Sequence, residues 1–290
     1  MSEPSVLVAS ERAYGLAEGP LWDAARERVL WVDIKAGAVH AGSLRDGVID
    51  DAAPLVAFDE TVGAVVCAED GHLLVAGARD LYGVDTDGRR SPIAPLVDTD
   101  SHSRLNDGAC DPAGRFLVGG MALGDRAGEE CLYRLADDGR VTVIDDDLTL
   151  SNGLAWSPDG RVLYSVDTAP GILYARPYNA VSGSWGERAV ALRIENGGSP
   201  DGLCTDAAGN LWIAIWGAGQ VRSYTPGGEL VATLEVPTPH VTSVAFIEPE
   251  LDTLLITSAH EDESPNAGYL FTAHVGARGT PLTSWAGMGR

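Results

Sequence analysis

Three polar residues recur at one position of a repeated sequence motif. Asn106, Asn152 and Asp201 each lie eight residues before a glycine, at the start of a short apolar segment. A single Asn or Asp in such a place is usually a turn residue that caps its own backbone. Recurrence in register instead favours a ring of ligands, and carboxylate and amide oxygens suit hard divalent cations such as Ca²⁺, Mg²⁺ and Mn²⁺. The motif therefore predicts a metal site.

The motif belongs to a larger repeat in which two apolar segments flank a turn rich in Asp and Gly. The repeat recurs at intervals of roughly 40 to 50 residues, a spacing typical of repeat architectures. Its copies span residues 19–33, 63–77, 107–120, 153–167, 202–215 and 243–258. Because each apolar run is short and bounded by Gly, Pro or Asp, we interpret the runs as strands.

A second, weaker hairpin follows each copy, and its apolar and polar residues alternate as in a strand that is wetted on one face. Four strands per repeat in six repeats, with no long helical pattern, predict an all-β fold. The expected architecture is a six-bladed β-propeller with four antiparallel strands per blade. A β-sandwich is the alternative, but it would not require this period. We expect residues 5–11 to add a strand that closes the last blade, and residues 1–290 to form one domain.

In a propeller, the loops that enter the innermost strands lie together at one mouth of the central channel. That position is occupied around the ring by Glu18, Val62 or Gly63, Asn106, Asn152, Asp201 and Thr242. Four of these six positions carry a carboxylate or an amide. The predicted fold therefore gathers oxygen ligands that are far apart in the sequence.

Composition and missing motifs disfavour several classes of protein. The net charge of −22 opposes nucleic-acid binding, which needs clustered Lys and Arg. No apolar run approaches the roughly 18–20 residues that span a bilayer, and the N-terminus lacks the basic region of a signal peptide, so we expect a cytoplasmic protein. The four cysteines form no Cys-x-x-Cys pair, and Cys67 and Cys110 are predicted to be buried free thiols. A Gly-x-Ser-x-Gly elbow and a phosphate-binding Gly-rich motif are both missing.

Five short motifs, in order and at the spacing of the repeats, resemble the SMP-30/gluconolactonase/luciferin-regenerating-enzyme family. They are Ala-Glu-Gly-Pro at 17–20, Arg-Leu-Asn-Asp-Gly at 104–108, Ser-Asn-Gly-Leu at 151–154, Pro-Asp-Gly-Leu at 200–203 and Ala-Ile-Trp-Gly at 214–217. Each motif alone is weak, and the resemblance comes from all five together. It covers about residues 6 to 275.

The resemblance implies a specific site and reaction. The family binds one divalent metal through a Glu, an Asn and an Asp, which match Glu18, Asn152 and Asp201. An Arg-x-Asn motif that contacts the sugar lactone matches Arg104 and Asn106. The implied reaction is hydrolysis of an aldonolactone to its aldonic acid, with the metal as a Lewis acid and Asp201 as the base. Ca²⁺ is the first expectation for the metal, with Zn²⁺, Mn²⁺, Mg²⁺ and Fe²⁺ as alternatives.

The sequence also departs from the family pattern. Gly-Gly-Met at 119–121 replaces the usual Gly-Thr-Met, and residues 245–249 lack the usual Phe-Gly-Gly. The loop at 122–130 has no evident acidic substrate contact, and Glu129 is only a weak candidate. The particular sugar is therefore not carried over. Two alternatives stay open: a metal-dependent hydrolase of another ester or an organophosphate, and a calcium-binding propeller without activity. The expected partner is a small molecule, with no nucleic acid or membrane, and the sequence predicts no oligomeric state.

Overall fold

Short strands joined by tight turns make up the protein. The computed structural model describes residues 5–50, 53–124, 126–195 and 197–289. Within these ranges there is no helix, and the strands form six antiparallel sheets. The described residues therefore contain no helix that could cross a membrane.

The chain opens with β1 (Val6–Val8). Blade 1 contains β2 (Ala17–Asp23), β3 (Arg28–Asp33), β4 (Ala38–Arg45), β5 (Val48–Asp50) and β6 (Val56–Ala57). Blade 2 contains β7 (Ala64–Cys67), β8 (Leu73–Ala76), β9 (Asp80–Val84) and β10 (Arg90–Pro95). Blade 3 contains β11 (Ser103–Cys110), β12 (Phe116–Ala122), β13 (Glu130–Leu135) and β14 (Val141–Leu148).

Blade 4 contains β15 (Ser151–Trp156), β16 (Val162–Asp167), β17 (Ile172–Asn179), β18 (Ser184–Trp185) and β19 (Ala189–Arg193). Blade 5 contains β20 (Ser199–Thr205), β21 (Leu211–Trp216), β22 (Gln220–Tyr224) and β23 (Leu230–Glu235). Blade 6 contains β24 (Val241–Ile247), β25 (Thr253–Ser258) and β26 (Phe271–His274). In blades 1 and 4 the outermost position is shared by two short strands, β5 with β6 and β18 with β19.

The predicted ring closure is confirmed. Strand β1 pairs antiparallel with β26, with Val6 opposite Ala273 and Val8 opposite Phe271, and so supplies the fourth strand of blade 6. The innermost strands β2, β7, β11, β15, β20 and β24 contact one another in that order, and β24 contacts β2. The six-bladed propeller predicted from the repeat is therefore the observed fold.

The repeated glycines lie in the turns between the first two strands of a blade. Gly114, Gly160 and Gly209 have φ angles of +83°, +67° and +88°, a left-handed conformation that glycine adopts without steric cost. In blade 3, Asp111 Oδ1 accepts hydrogen bonds from the backbone N–H groups of Ala113 (2.8 Å) and Arg115 (3.0 Å). The Asp/Gly turns therefore bring each apolar strand back beside its neighbour.

The C-terminal segment covers the mouth of the channel at the end where these turns lie. Trp285 N–H donates to Cys67 O in blade 2 (2.8 Å), and Gly279 N–H donates to Leu251 O in blade 6 (2.8 Å). Residues 280–284, together with the inner strands, line a cavity of about 420 Å³. Within the described part of the chain all four cysteines are free. Cys67 is buried as predicted, whereas Cys110 is half-buried, and both line this cavity.

Candidate active site

The candidate ligands lie within the innermost strands, so their predicted placement on loops before the strands was wrong. Glu18 belongs to β2, Asn152 to β15 and Asp201 to β20. The physical reason is a β-bulge near the start of the strand, in which two residues oppose a single residue of the second strand.

The bulge recurs in five of the six blades, where pairing with the second strand skips two residues. The skipped residues are 19 and 20 in β2, 106 and 107 in β11, 152 and 153 in β15, 201 and 202 in β20, and 242 and 243 in β24. Blade 2 pairs regularly from Ala64 onward, directly after Gly63. A bulge bends its strand and redirects a side chain, and such bulges are common beside active sites. Here the bulges interrupt the regular alternation of side chains along the inner strands, which allows polar side chains to gather at this mouth of the channel.

Glycines let neighbouring blades approach closely at the same level. A Cβ atom added at Gly153 would lie 2.6 Å from the carbonyl oxygen of Asp201. Added Cβ atoms at Gly63 and Gly202 would overlap the backbone oxygen of Asn106 and the Ser243 side chain, respectively. Because Gly153 has no side chain, the backbones of blades 4 and 5 can come into contact here. This contact sets how near the candidate ligands lie to one another.

Hydrogen bonds fix the amide side chains across three blades. Asn106 Nδ2 donates to Asn152 Oδ1 (3.0 Å), and Arg104 Nη1 donates to Asn106 Oδ1 (2.9 Å). Asn152 Nδ2 donates to Thr168 Oγ1 (2.9 Å), which in turn donates to Pro200 O (2.8 Å). Three predicted site residues, Arg104, Asn106 and Asn152, therefore form one connected network that reaches the residue before Asp201.

Two buried carboxylates complete the set. Glu18 and Asp201 are only 5% and 6% exposed. Burial, followed by the charges of Asp201 and Asp107, raises the pKa of Glu18 well above its usual range. Burial and the charge of Asp107 do the same to the pKa of Asp201. Burial lowers the pKa of Arg104 to about 10, although Glu18 and Asp201 both favour its charged form.

The donor set fits a hard divalent cation. Asp201 Oδ1 is buried and accepts no hydrogen bond from any described residue. An orphaned carboxylate oxygen beside a second buried carboxylate is costly unless a positive charge is present. No cluster of three His, Cys, Asp or Glu side chains in the described ranges has a metal-binding arrangement. The candidate set differs from such a cluster because its third member is the amide of Asn152.

Asp107 is a member of the site that sequence reasoning passed over. It shares the β11 bulge with Asn106, and its charge acts on both Glu18 and Asp201. Burial raises the pKa of Asp107 to about 6, although Gly108 N–H donates a hydrogen bond to its Oδ1 (2.7 Å). The signal in the sequence was its place directly after a candidate ligand.

The other predicted positions have different roles. Thr242 Oγ1 donates to Ala17 O (2.6 Å) and bonds Thr257, so it joins blade 6 to the strand that carries Glu18. Glu129 is exposed and contacts Arg126 (3.0 Å) rather than the ligand network. The neighbouring Glu130 is buried instead.

The fold and this geometry define a six-bladed propeller with an acidic, oxygen-rich site at one mouth of its channel. The chain belongs to the SMP-30/Gluconolactonase/LRE-like family, whose pattern matches residues 16–260. A pentonolactonase of Haloferax volcanii is 36% identical over 278 residues, covering 92% of this chain and 93% of the relative. A 6-deoxy-6-sulfogluconolactonase of Pseudomonas putida is 34% identical over 283 residues, covering 94% and 95%.

A solved structure agrees with the fold over nearly its full length. The calcium-binding protein regucalcin of Agrobacterium tumefaciens superposes with a TM-score of 0.90 at 30% identity, covering 97% of each chain. The family expected from the five motifs is therefore confirmed.

Proposed function

We propose that this protein is a divalent-metal-dependent lactonase that hydrolyses a sugar lactone to its aldonic acid. The observation that carries the proposal is the unpartnered Oδ1 of Asp201 beside the buried carboxylate of Glu18. Two relatives named as sugar lactonases support the reaction class. The regucalcin relative, described as a calcium-binding protein, supports a hard cation such as Ca²⁺.

Glu18, Asn152 and Asp201 would hold the cation. When bound there, it would polarise the lactone carbonyl as a Lewis acid. These ligands are oxygen atoms, which favours Ca²⁺ over softer metals. Among the described residues, the hydrogen-bonding capacity of Asn106 is largely used by Arg104, Asn152 and Ser151 O. The proposed role of Asn106 is therefore to orient Arg104 and Asn152.

Arg104 is the proposed substrate-binding group. Its Nη1 is engaged with Asn106 Oδ1 and Leu105 O, both at 2.9 Å. Its remaining N–H donors can bind hydroxyl or ring oxygens of the sugar, because a guanidinium offers a fork of five donors. The charge of Arg104 also lowers the pKa values of Glu18 and Asp201, so it helps to keep both carboxylates ionised.

Asp201 is the proposed general base. Its carboxylate would accept a proton from water as the water oxygen bonds to the lactone carbonyl carbon. The ring C–O bond then breaks, and the proton passes to the ring oxygen, which becomes the free hydroxyl. The net change is the addition of one water molecule, and Asp201 returns to its carboxylate form.

Turnover of a panel of aldonolactones by metal-stripped protein tests the proposal. Xylono-, arabino-, galactono- and gluconolactone are offered with Ca²⁺, Mg²⁺, Mn²⁺, Zn²⁺ or Fe²⁺ added back singly, and spontaneous hydrolysis is subtracted. We expect turnover that appears only with metal. Measurable metal binding without turnover of any lactone would overturn the lactonase proposal in favour of a phosphoester substrate or a cation-binding propeller.

A further inference from the structure

A buried carboxylate that the proposed mechanism does not use lies at the start of β13. Glu130 is 4% exposed. Its strand is joined to β12 by the segment 123–129, of which Asp125 lies outside the described residues. β12 pairs with the start of β11, where Arg104 is opposite Met121. Glu130 therefore lies at the same end of blade 3 as the candidate substrate-binding group.

The carboxylate of Glu130 occupies space that a side chain at position 120 would fill. A Cβ atom added at Gly120 would lie 2.6 Å from Glu130 Oε2 and 3.7 Å from the carbonyl oxygen of Arg104. Gly120 does not have a positive φ angle, so backbone conformation does not require a glycine here. The glycine instead makes room for the carboxylate beside the backbone of Arg104.

Glu130 anchors a chain of hydrogen bonds that ties the segment 123–129 to the start of β11. Ser103 Oγ donates to Glu130 Oε1 (2.6 Å), and Arg126 Nη2 donates to Ser103 Oγ (2.6 Å) and to His102 O (3.0 Å). Arg126 Nη2 also lies 3.4 Å from Glu130 Oε1. We refer to Ser103, Arg126 and Glu130 as the clasp.

The clasp is connected to the site through a single peptide bond, the one between Ser103 and Arg104. The guanidinium of Arg104 donates a hydrogen bond to Asn106 and interacts electrostatically with Glu18 and Asp201. A hydrogen bond from Leu123 N–H to His102 O (2.7 Å) adds a second tie between the same two segments. Any loosening of the clasp should therefore move Arg104 relative to the candidate ligands while leaving those ligands in place.

We propose that Glu130 is a positioning residue for substrate binding: its carboxylate, seated against Gly120, holds Arg126 and Ser103 so that Arg104 is fixed at the mouth of the site. This inference rests on the proposed lactonase function. It assigns a role to the Gly-Gly-Met departure at 119–121, because a larger residue at 120 and a buried Glu130 exclude one another.

Steady-state kinetics of Glu130→Gln test the inference, with the lactone and metal that give the wild-type protein its highest turnover. The amide keeps the size of the side chain but weakens its charged hydrogen bonds to Ser103 and Arg126. We expect KM to rise about tenfold or more, kcat to change less than about twofold, and the Kd for the metal to stay unchanged. Glu129→Gln is the matched control, since the exposed Glu129 contacts the same arginine and should leave KM unaltered.

A double variant separates positioning from simple packing. Gly120→Ala alone should displace the carboxylate and raise KM. Gly120→Ala with Glu130→Ala relieves the overlap but removes the carboxylate, so KM should stay high. Recovery of the wild-type KM in the double variant would show that Glu130 only fills space, and would overturn the inference.

Each remaining outcome is also decisive. An unchanged KM in Glu130→Gln, with active wild-type protein, overturns the role of Glu130 alone. No turnover by the wild-type protein with any lactone and metal overturns the proposed function and the inference with it. If Glu130→Gln does not fold, Arg126→Ala must show the same rise in KM, and Arg126→Lys a smaller one.

Discussion

At the scale of single residues, the site holds like charges that only a cation or a proton can balance. Glu18 and Asp201 are both buried, and the charge of Asp201 raises the pKa of Glu18. Burying two carboxylates close together opposes folding, since each loses hydration and repels the other. Removal of one of these charges is therefore expected to lower the activity but to raise the stability of the metal-free protein.

Asp201→Asn tests this opposition. Without metal, the variant should have a higher Tm than the wild type because one of the two buried charges is gone. With metal, its kcat should fall at least about a hundredfold, as expected for loss of a general base, and its Kd for the metal should rise. Calorimetry of metal-stripped protein and lactone turnover provide the measurements. Asp87→Asn, at an exposed turn, is the control and should change neither quantity. A lower Tm in metal-free Asp201→Asn would contradict the argument.

Asp107 should make the stability of the metal-free protein depend on pH. Its pKa is about 6 in the folded protein, against a usual value of 3.8. Between these values the folded state holds a proton that the unfolded state has released, so this stabilising contribution is complete below about pH 4 and is lost as pH rises through about 6. The Asp107→Asn variant does not show this loss of stability, because an amide does not titrate in this pH range. The Tm of this variant minus that of the wild type should therefore increase from pH 5 to pH 7 in thermal scans; a constant difference would contradict the assigned pKa.

Much of the site was predictable from sequence because the repeat marks equivalent positions. Asn106 and Asn152 occupy matching positions and share a hydrogen bond, and the charges of Glu18 and Asp201 interact. Glu130 was not predictable, because its burial depends on a space left by Gly120 on a different strand.

At the scale of elements, the bulges and close-packed glycines were also missed by the sequence analysis. A bulge is a mismatch in register between two strands, and the alternation of side chains along one strand does not reveal it. A glycine needed for contact with the next blade likewise looks the same in sequence as a turn glycine. Gly153 and Gly160 illustrate the difference, since only Gly160 has a positive φ angle.

Gly153→Ala should therefore damage the site through packing between blades. Its Cβ would lie 2.6 Å from Asp201 O, so blade 5 must shift outward near the ligands. We expect a loss of stability of about 1–3 kcal/mol, as for overpacking, and a Kd for the metal at least about tenfold higher. Denaturant unfolding and metal titration provide the measurements. Gly227→Ala is the control because its Cβ has no neighbour closer than 3.7 Å. Wild-type metal affinity in Gly153→Ala would show that blade spacing does not position the ligands.

At the scale of the whole molecule, a short N-terminal segment holds the two ends of the ring together. Strand β1 covers the edge of β26, and Ala9 continues the contact by donating to Leu270 O (2.8 Å). Ile49 N–H, in blade 1, donates to Ala9 O (2.6 Å). Since these few residues join blade 6 to blade 1, their removal should weaken a contact between regions that are far apart in the sequence.

A chain that begins at Arg12 should unfold at a lower temperature and associate through its open edge. It loses the pairing of Val6 to Val8 with β26, and an unpaired edge strand is a template for further strand pairing. We expect Tm to fall by on the order of 10 °C, since each kcal/mol is worth about 2–4 °C in large domains. Light scattering should show association that increases with protein concentration. Leu7→Ser, at a side chain that is 57% exposed, should change Tm by less than about 2 °C. An unchanged Tm in the shortened chain would mean that the inner strands alone close the ring.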